Sequence, residues 1–210
     1  MIDGDQPDGA APGSDPGTLD FYDHNAEAYA ACAETEDGLR HLALFAADLP
    51  PGGRVLDLGA GEGWAAGWLA GEGFQAVAYD ASESLLALAA ARPGVETRLG
   101  TFEELDAYSE FDGIWASFSL LHAPRASLPG NLSRIATALI PGGRLFVGLK
   151  EGDYEERDRL GRFYAYFTVD EVLGALRDTG FEVLQASSAE GKGMTGEVQS
   201  FLYFHARLAP

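Results

Sequence analysis

A glycine-rich turn between a short apolar segment and a helix is the feature that most constrains the fold of this chain. Residues 54–58 (RVLDL) are predicted to form a buried strand, residues 59–63 (GAGEG) a turn, and the following segment WAAGWLAGE a helix. In open α/β sheets, ligands bind where such turns leave the carboxyl ends of the strands. The pattern therefore predicts an α/β protein with a ligand site at this turn.

Apolar segments typical of strands alternate with helical segments along the rest of the chain. Further strands are predicted at residues 75–79, 95–99, 113–117, 144–149, 182–186 and 200–206. Helices are predicted at residues 19–31, 36–48, 82–91 (with Ser82 as N-cap), 128–140 and from a capping box of Thr168 and Glu171 to about Gly180.

This alternation is typical of a mostly parallel sheet with helices on both faces. The last two strands have only a glycine-rich loop, residues 190–196, between them. A parallel crossover needs a longer connection, so the last strand is predicted to run antiparallel. The fold class is thus α/β, with seven strands, mostly parallel.

Length and composition predict one domain that acts on something other than nucleic acid. Of the 210 residues, 1–17 are acidic and rich in Gly and Pro and are predicted to be a disordered tail, and 18–210 a single domain. The formal net charge of −19 disfavours binding to phosphate backbones or anionic membranes. The single cysteine, Cys32, and the lack of a signal peptide or an apolar run of membrane-spanning length favour a cytoplasmic location.

The spacing of the glycines argues against a bound dinucleotide. The dinucleotide fingerprint G-x-G-x-x-G requires a third glycine where this chain has Trp64, because Gly63 falls one position early. A phosphate-binding P-loop is also excluded, since no Gly-Lys-Ser/Thr follows the turn.

Carboxylates near the turn favour a cationic ligand. Asp57 and Glu62 flank the glycines and would repel a pyrophosphate, whereas S-adenosylmethionine carries a sulfonium and an ammonium group and no phosphate. Asp80 ends the next strand, where its carboxylate can accept hydrogen bonds from both ribose hydroxyls. Each residue alone also fits ordinary turn or cap chemistry; their combination predicts a cofactor loop.

Four motifs resemble those of class I S-adenosylmethionine-dependent methyltransferases, over roughly residues 19–208. They are VLDLGAGEG, AYD ending at Asp80, FDGIWASFSLLHAP and PGGRLFVGLKEG. The segments FYDHNAEAYA and LLHAPR resemble a bacterial subgroup near the tellurite-resistance-type enzymes. Ala60 stands where such loops often have Cys, a change that binding by the backbone tolerates. The resemblance implies a Rossmann-like fold and a small-molecule methyl acceptor.

The resemblance also implies which residues bind S-adenosylmethionine. Asp57 would lie under the methionine ammonium, the turn glycines along methionine and ribose, Asp80 at the ribose, and residues 19–48 would form a helical lid. The implied cofactor-binding residues are Tyr22, Tyr29, Asp57, Gly59, Ala60, Gly61, Gly63, Asp80, Ala81, Thr101, Phe102, Ser117 and Phe118. Tyr22 and Tyr29 could equally pack in the core. No metal ligand set is apparent.

His122 is the candidate catalytic base, since it follows the fourth strand and an imidazole titrates near neutral pH. It could instead anchor its loop by a hydrogen bond to a carbonyl group. Arg125 could bind an anionic group or hold the same loop. After the fifth strand, Lys150, Arg162, Tyr164 and Tyr166 are candidates to cradle an acidic or aromatic substrate, whereas residues 155–159 are interpreted as a self-paired surface segment.

Methyl transfer to a small molecule is the predicted function. The alternatives are a catalytically silent protein that binds the same cofactor and, less well supported because of Trp64, a nicotinamide-dependent dehydrogenase.

Overall fold

A computed structural model describes residues 15–30, 35–192 and 197–210, without the side chains of residues 27–30. The helices are α1 (Pro16–Ala30), α2 (Glu36–Ala47), α3 (Trp64–Gly71), α4 (Glu83–Ala90), α5 (Leu128–Ala138) and α6 (Val169–Asp178). The strands are β1 (Arg54–Leu58), β2 (Gln75–Asp80), β3 (Val95–Leu99), β4 (Phe111–Ser117), β5 (Leu139–Lys150), β6 (Glu155–Arg157), β7 (Phe163–Ala165), β8 (Phe181–Lys192) and β9 (Val198–Leu208).

Seven strands form one sheet in the order β3-β2-β1-β4-β5-β9-β8. Strands β1 to β5 pair in parallel, and β9 is antiparallel to both of its neighbours, β5 and β8. Six strands therefore run in one direction and the last runs against them. This confirms the predicted fold class, including the antiparallel last strand.

Alternation of side chains along the central strands sends them to two different helical layers. On β1, Leu56 and Leu58 belong to the buried cluster that contains α5 and α6, whereas Val55 belongs to the cluster that contains α2 and α3. Asp57 lies on the same face of the sheet as Val55, so its carboxylate is directed towards the layer of α2 and α3.

Several element boundaries differ from the predictions. Helix α1 begins at Pro16, inside the segment predicted to be a tail, while residues 1–14 and Cys32 lie outside the described part of the chain. The helix predicted at 128–140 ends at Ala138, and Pro141-Gly142-Gly143 lies within β5. Strands β8 and β9 extend beyond the predicted 182–186 and 200–206, because the two strands pair almost to the loop that joins them.

The segment between β5 and α6 holds a two-stranded hairpin that the apolar pattern did not predict. Strand β6 pairs antiparallel with β7, Glu155 facing Ala165 and Arg157 facing Phe163. Both strands have three residues, and all of β6 is exposed, so no apolar alternation marks it. The hairpin places Arg162 and Tyr164 beside α1.

Candidate active site

A cleft opens at the carboxyl ends of β1, β2 and β4 and is covered on one side by α1. The predicted cofactor residues that line it are Tyr22, Gly59, Gly61, Asp80, Ala81, Thr101, Phe102, Ser117 and Phe118, and His122 lines it as well. Ala60 and Gly63 belong to the turn but do not line the cleft, and the side chain of Tyr29 lies outside the described residues.

The backbone of the glycine turn has a conformation that disfavours residues with a Cβ atom. Gly59, Gly61 and Gly63 have φ angles of 72°, 57° and 75°, in the left-handed region that favours glycine. A Cβ atom on Gly59 would lie 2.2 Å from the Cβ of Ser119. The turn therefore presents bare backbone to the cleft, as a ligand that contacts the backbone requires.

Asp80 is held between the turn and the start of α4. Its Oδ2 accepts a hydrogen bond from the Gly61 amide (2.8 Å), and its Oδ1 accepts one from the Ser82 amide (2.9 Å). Burial raises the pKa of its carboxyl group above the usual range. Each oxygen keeps a lone pair for a further donor, so the group can accept hydrogen bonds from a diol in the cleft.

Asp57 lies behind the turn and does not line the cleft. It shares the β1 face that packs on α3, and its Oδ2 accepts a hydrogen bond from the Ala66 amide in the first turn of that helix (3.1 Å). Burial raises the pKa of Asp57 to about 8. Any effect of this carboxyl group on a ligand must act through the turn.

Glu62 also points away from the cleft, contrary to the electrostatic argument made from the sequence. Its side chain is buried and pairs with Arg92, whose Nη2 lies 3.3 Å from its Oε1. Glu62 thus lies at the turn, as its sequence position requires, but its carboxylate pairs with Arg92 and does not face the cleft.

His122 and Tyr22 form a hydrogen-bonded pair at the cleft. The Nδ1 of His122 lies 2.8 Å from the carbonyl oxygen of Phe163, which can only accept, so Nδ1 carries the proton of the neutral ring. Nε2 then accepts a hydrogen bond from the Tyr22 hydroxyl (3.0 Å). Burial lowers the pKa of His122 to about 4, so the ring is neutral near pH 7.

The candidate substrate residues separate into two groups. Arg125 lies outside the cleft, where it pairs with Glu171 and donates to the Tyr166 carbonyl (2.6 Å). Lys150 and Arg162 instead converge on Tyr164: the Lys150 Nζ lies 3.6 Å from the centre of its ring and the Arg162 Cζ 5.2 Å. Arg162 also donates to the Tyr22 hydroxyl (3.3 Å), which links this group to the cleft.

A second, polar cavity lies beside the cleft. It is lined by Lys150, Arg162 and Tyr166, which were predicted, and by Glu156, Arg157, Asp158, Arg159, Glu197 and Gln199. The segment 155–159 was interpreted as self-paired surface. The structure instead gives each of its arginines a partner outside the segment, Arg157 with Asp15 and Arg159 with Glu197.

Several residues of the cleft were missed by sequence reasoning. They are Asp15, Thr18, Leu19, Tyr79, Leu85, Gly100 and Ser119. Asp15, Thr18 and Leu19 precede Tyr22 by seven, four and three positions, which places all four on one face of a helix. That spacing was a usable signal. It went unused because Asp15 fell in the segment predicted to be disordered.

Helix α1 is fixed to the hairpin of β6 and β7. Asp15 caps it, accepting from the Thr18 amide (2.8 Å), and forms an ion pair with Arg157 of β6 (2.7 Å). The Thr18 hydroxyl accepts from the Phe163 amide of β7 (2.8 Å). Of the described residues in the segment predicted to be a lid, those of α1 line the cleft and those of α2 pack on the sheet.

Two features are absent from the described residues. No helix among them combines the length and the apolar character needed to cross a membrane. No group of three or more His, Cys, Asp or Glu side chains in residues 15–30, 35–192 and 197–210 is placed to hold a metal ion.

Comparison with known proteins identifies one matching family and many solved structures with a similar fold. Residues 22–186 match the model of a family described as a methyltransferase domain. A search among curated proteins finds no match. The family match is general and does not single out the tellurite-resistance-type subgroup, which stays a prediction.

Three solved structures illustrate the range of the fold. A Burkholderia thailandensis 1,6-didemethyltoxoflavin-N1-methyltransferase, with 1,6-didemethyltoxoflavin and S-adenosylhomocysteine bound, is 24% identical, covers 92% of this chain and 87% of its own, and has a TM-score of 0.75. The cyclase SpnF is 18% identical over 95% and 99%, with a TM-score of 0.74. A Haemonchus contortus phosphoethanolamine N-methyltransferase is 17% identical over 92% and 60%, with a TM-score of 0.73.

Proposed function

Because this chain belongs to the methyltransferase domain family, we propose that it transfers a methyl group from S-adenosylmethionine to a small-molecule acceptor by in-line displacement. The observation that carries the proposal is the pairing of bare glycine backbone with the Asp80 carboxylate at one edge of the cleft. S-adenosylmethionine supplies an activated methyl group on a cationic sulfur, so the protein needs mainly to align the acceptor and exclude water.

The chain's own residues suit the parts of this cofactor. Asp80 would accept hydrogen bonds from the ribose hydroxyls while its other lone pairs stay with the Gly61 and Ser82 amides. Thr101 and Phe102 would flank the adenine, and the turn at Gly59 and Gly61 would lie along the methionine part. From its position behind the turn, the ionised carboxylate of Asp57 would attract the methionine ammonium electrostatically.

The Tyr22–His122 pair would serve an acceptor that carries a proton. The acceptor's proton would pass to the Tyr22 oxygen while the phenolic proton passes to His122 Nε2, leaving an imidazolium whose Nδ1–H still donates to the Phe163 carbonyl. In this scheme Tyr22 touches the acceptor, and His122 acts through it. Anchoring of the loop by Nδ1 and proton acceptance by Nε2 are then compatible roles of one ring.

A small acceptor is supported by the cover that α1 places over the cleft. Two of the structural neighbours are named for small substrates, a toxoflavin precursor and a phosphoethanolamine. A panel of heteroaromatic N–H compounds and primary amines is therefore a reasonable first set of acceptors.

Calorimetric titration with S-adenosylhomocysteine tests the cofactor part of the proposal. We expect binding by the wild-type protein and a loss of affinity of roughly tenfold or more in Asp80→Asn, since an amide nitrogen cannot accept from a hydroxyl. Asp178→Asn, an exposed change at the end of α6, is the matched control and should bind normally. Absence of binding by the wild type, or equal affinity in all three proteins, would contradict the proposal.

A turnover assay separates an enzyme from a silent binder. Formation of S-adenosylhomocysteine from S-adenosylmethionine is measured across the acceptor panel, with Asp80→Asn as the reduced-activity reference. Binding of NAD in place of the sulfur nucleoside would revive the dehydrogenase alternative.

A further inference from the structure

The second cavity is the place where the basic residues of an acidic chain gather. The chain has 14 Lys and Arg residues against 33 Asp and Glu, yet four of the basic residues, Lys150, Arg157, Arg159 and Arg162, line this one cavity. Such a concentration in a chain of net charge −19 points to a role in recognising negative charge.

The acidic side chains of the cavity are already engaged. Arg162 pairs with Asp158 (2.6 Å) and Arg159 with Glu197 (3.4 Å), and the Tyr166 hydroxyl donates to Glu156 (2.9 Å). Arg157 forms an ion pair with Asp15, which lines the cleft. The carboxylates that line the cavity thus have partners of their own.

Lys150 is the cation of this cavity that makes no ion pair with any carboxylate in the described part of the chain. Its Nζ lies over the rings of Tyr164 (3.6 Å) and Tyr166 (5.8 Å), whose faces attract a cation but leave its N–H groups free to donate elsewhere. Burial and the nearby Arg162 lower the pKa of Lys150 to about 8, and the carboxylates of Asp158, Glu156 and Glu197 offset this lowering only in part.

A polar atom without a partner lies in the wall of the same cavity. The side-chain Oε1 of Gln199 is buried and has no hydrogen-bond partner among the described residues. The two ends of an amide are assigned from their neighbours, so this group can present either its oxygen or its NH₂ to a ligand. A buried amide left unsatisfied costs stability, which a bound group with hydrogen-bonding oxygens would recover.

The cavity adjoins the place where the methyl acceptor would bind. Arg162 lines the cavity and donates to the hydroxyl of Tyr22, which lines the cleft. The ring of Tyr164 contacts both Lys150 and His122, with 3.6 Å from the Lys150 Nζ to its centre and 4.7 Å between the centres of the Tyr164 and His122 rings. Lys150 is the last residue of β5, and the neighbouring strand β4 ends at Ser117 in the cleft.

We propose that the methyl acceptor carries a carboxylate or phosphate group and that Lys150 binds it in this second cavity, with Gln199 beside it. This inference rests on the proposed function and narrows it to anionic acceptors. The acceptor's reactive atom would lie at Tyr22 while its anionic end reaches past Tyr164 to Lys150.

The chain offers an internal control, because Lys150 and Lys192 are its only lysines. In protein labelled with ¹³C at lysine Cε and saturated with S-adenosylhomocysteine, each lysine gives its own NMR signal. Lys192 is exposed, so it reports non-specific effects of added anions. Inorganic phosphate and benzoate, added at constant ionic strength, serve as probes for the two anionic groups.

We expect one or both probes to shift the Lys150 signal in a saturable way and to raise its titration midpoint by half a pH unit or more, with Lys192 unchanged. A response to phosphate alone or to benzoate alone identifies which anion the site takes. Lys150→Met should abolish saturable probe binding in calorimetry, and Lys192→Met should leave it intact.

Equal responses of the two lysines, or none at Lys150, would overturn the inference. S-adenosylhomocysteine binding is measured in the same samples, so the two proposals fail separately. Absence of nucleoside binding by the wild-type protein would contradict the proposed function. Normal nucleoside binding without an anion response at Lys150 would contradict only the inference that the acceptor is anionic. Lys150→Met is tested only after its nucleoside affinity is shown to be unchanged, and the NMR result on the wild type stands without it.

Discussion

At the scale of single residues, the sequence predicted the acidic and glycine residues of the cleft better than it predicted their orientations. Asp80, Gly59 and Gly61 line the cleft whereas Gly63 does not, and a strand end and a tight turn leave few choices for where such residues lie. Asp57 faces α3 instead, since side chains alternate along β1 and the helices covering each face are decided by tertiary packing.

The position of Asp57 leads to a prediction about protons. At pH 7 a buried carboxyl group with a pKa of about 8 is mostly protonated, and a cation bound nearby favours the ionised form. Binding of S-adenosylhomocysteine, which carries an ammonium, should therefore release between about one half and one proton at pH 7. Calorimetry in buffers of different ionisation enthalpy measures this number, and Asp57→Asn should reduce it towards zero.

The same group affects stability in the absence of ligand. The folded state binds a proton at Asp57 that the unfolded state has lost between about pH 4 and pH 8, so this residue makes stability fall as pH rises through that window. In Asp57→Asn that contribution should be absent between pH 6.5 and 8. An identical pH dependence in wild type and variant would contradict the assignment.

Tyr22 gives a further prediction at this scale. If its hydroxyl relays the acceptor's proton to His122, Tyr22→Phe should lower kcat on the order of 100-fold for acceptors with an N–H or O–H group. Acceptors without a proton at the reacting atom, such as tertiary amines, should be methylated at an unchanged rate. Tyr108→Phe, at an exposed tyrosine, is the control. A uniform loss across both kinds of acceptor would indicate a packing role only.

At the scale of elements, the apolar runs of β1, β2, β4 and β5 made the central sheet predictable. The hairpin of β6 and β7 was not predictable, because both strands have only three residues and β6 is charged and exposed, which leaves no apolar alternation to recognise. The second cavity was not predicted for the same reason, since residues of that hairpin line it. The sequence identified Lys150, Arg162 and Tyr166 as candidate substrate residues, but it did not predict how they are arranged around a cavity.

Helix α1 depends on Asp15, which gives a prediction for the element. Asp15 caps the helix, a contact worth about 1 kcal/mol, and also accepts two hydrogen bonds from the Arg157 guanidinium (2.7 and 3.0 Å). Asp15→Ala should speed amide hydrogen exchange in residues 16–26 and weaken nucleoside binding several-fold. Asp37→Ala, in the first turn of α2, is the comparison; exchange in residues 16–26 should not change there.

At the scale of the whole molecule, a pair of histidines joins α2 to the sheet. The Nδ1 of His41 lies 3.0 Å from the Nε2 of His205, and the His41 ring stacks on Tyr203. Burial lowers the pKa of His41 and lowers that of His205 to about 4. The pair is stable while both rings are neutral, because burial away from water disfavours a charged imidazolium.

This pair predicts loss of stability in mild acid. A folded-state pKa below the unfolded value of about 6.5 means that stability falls as pH drops from 6.5 towards 4. His205→Gln, which can still hydrogen bond but cannot gain charge, should show a smaller fall in Tm between pH 7 and pH 5 than the wild type. His24→Gln, at an exposed site, should behave like the wild type. Equal falls in all three proteins would exclude the pair as the cause.

The place of β9 between β5 and β8 has a consequence for how the protein is made. During translation β8 leaves the ribosome before the strand that will separate it from β5, so it must wait as an unpaired edge until residues 198–208 have emerged. The nascent chain is therefore most exposed to wrong strand pairing, and most dependent on chaperones, in the seconds just before β9 becomes available.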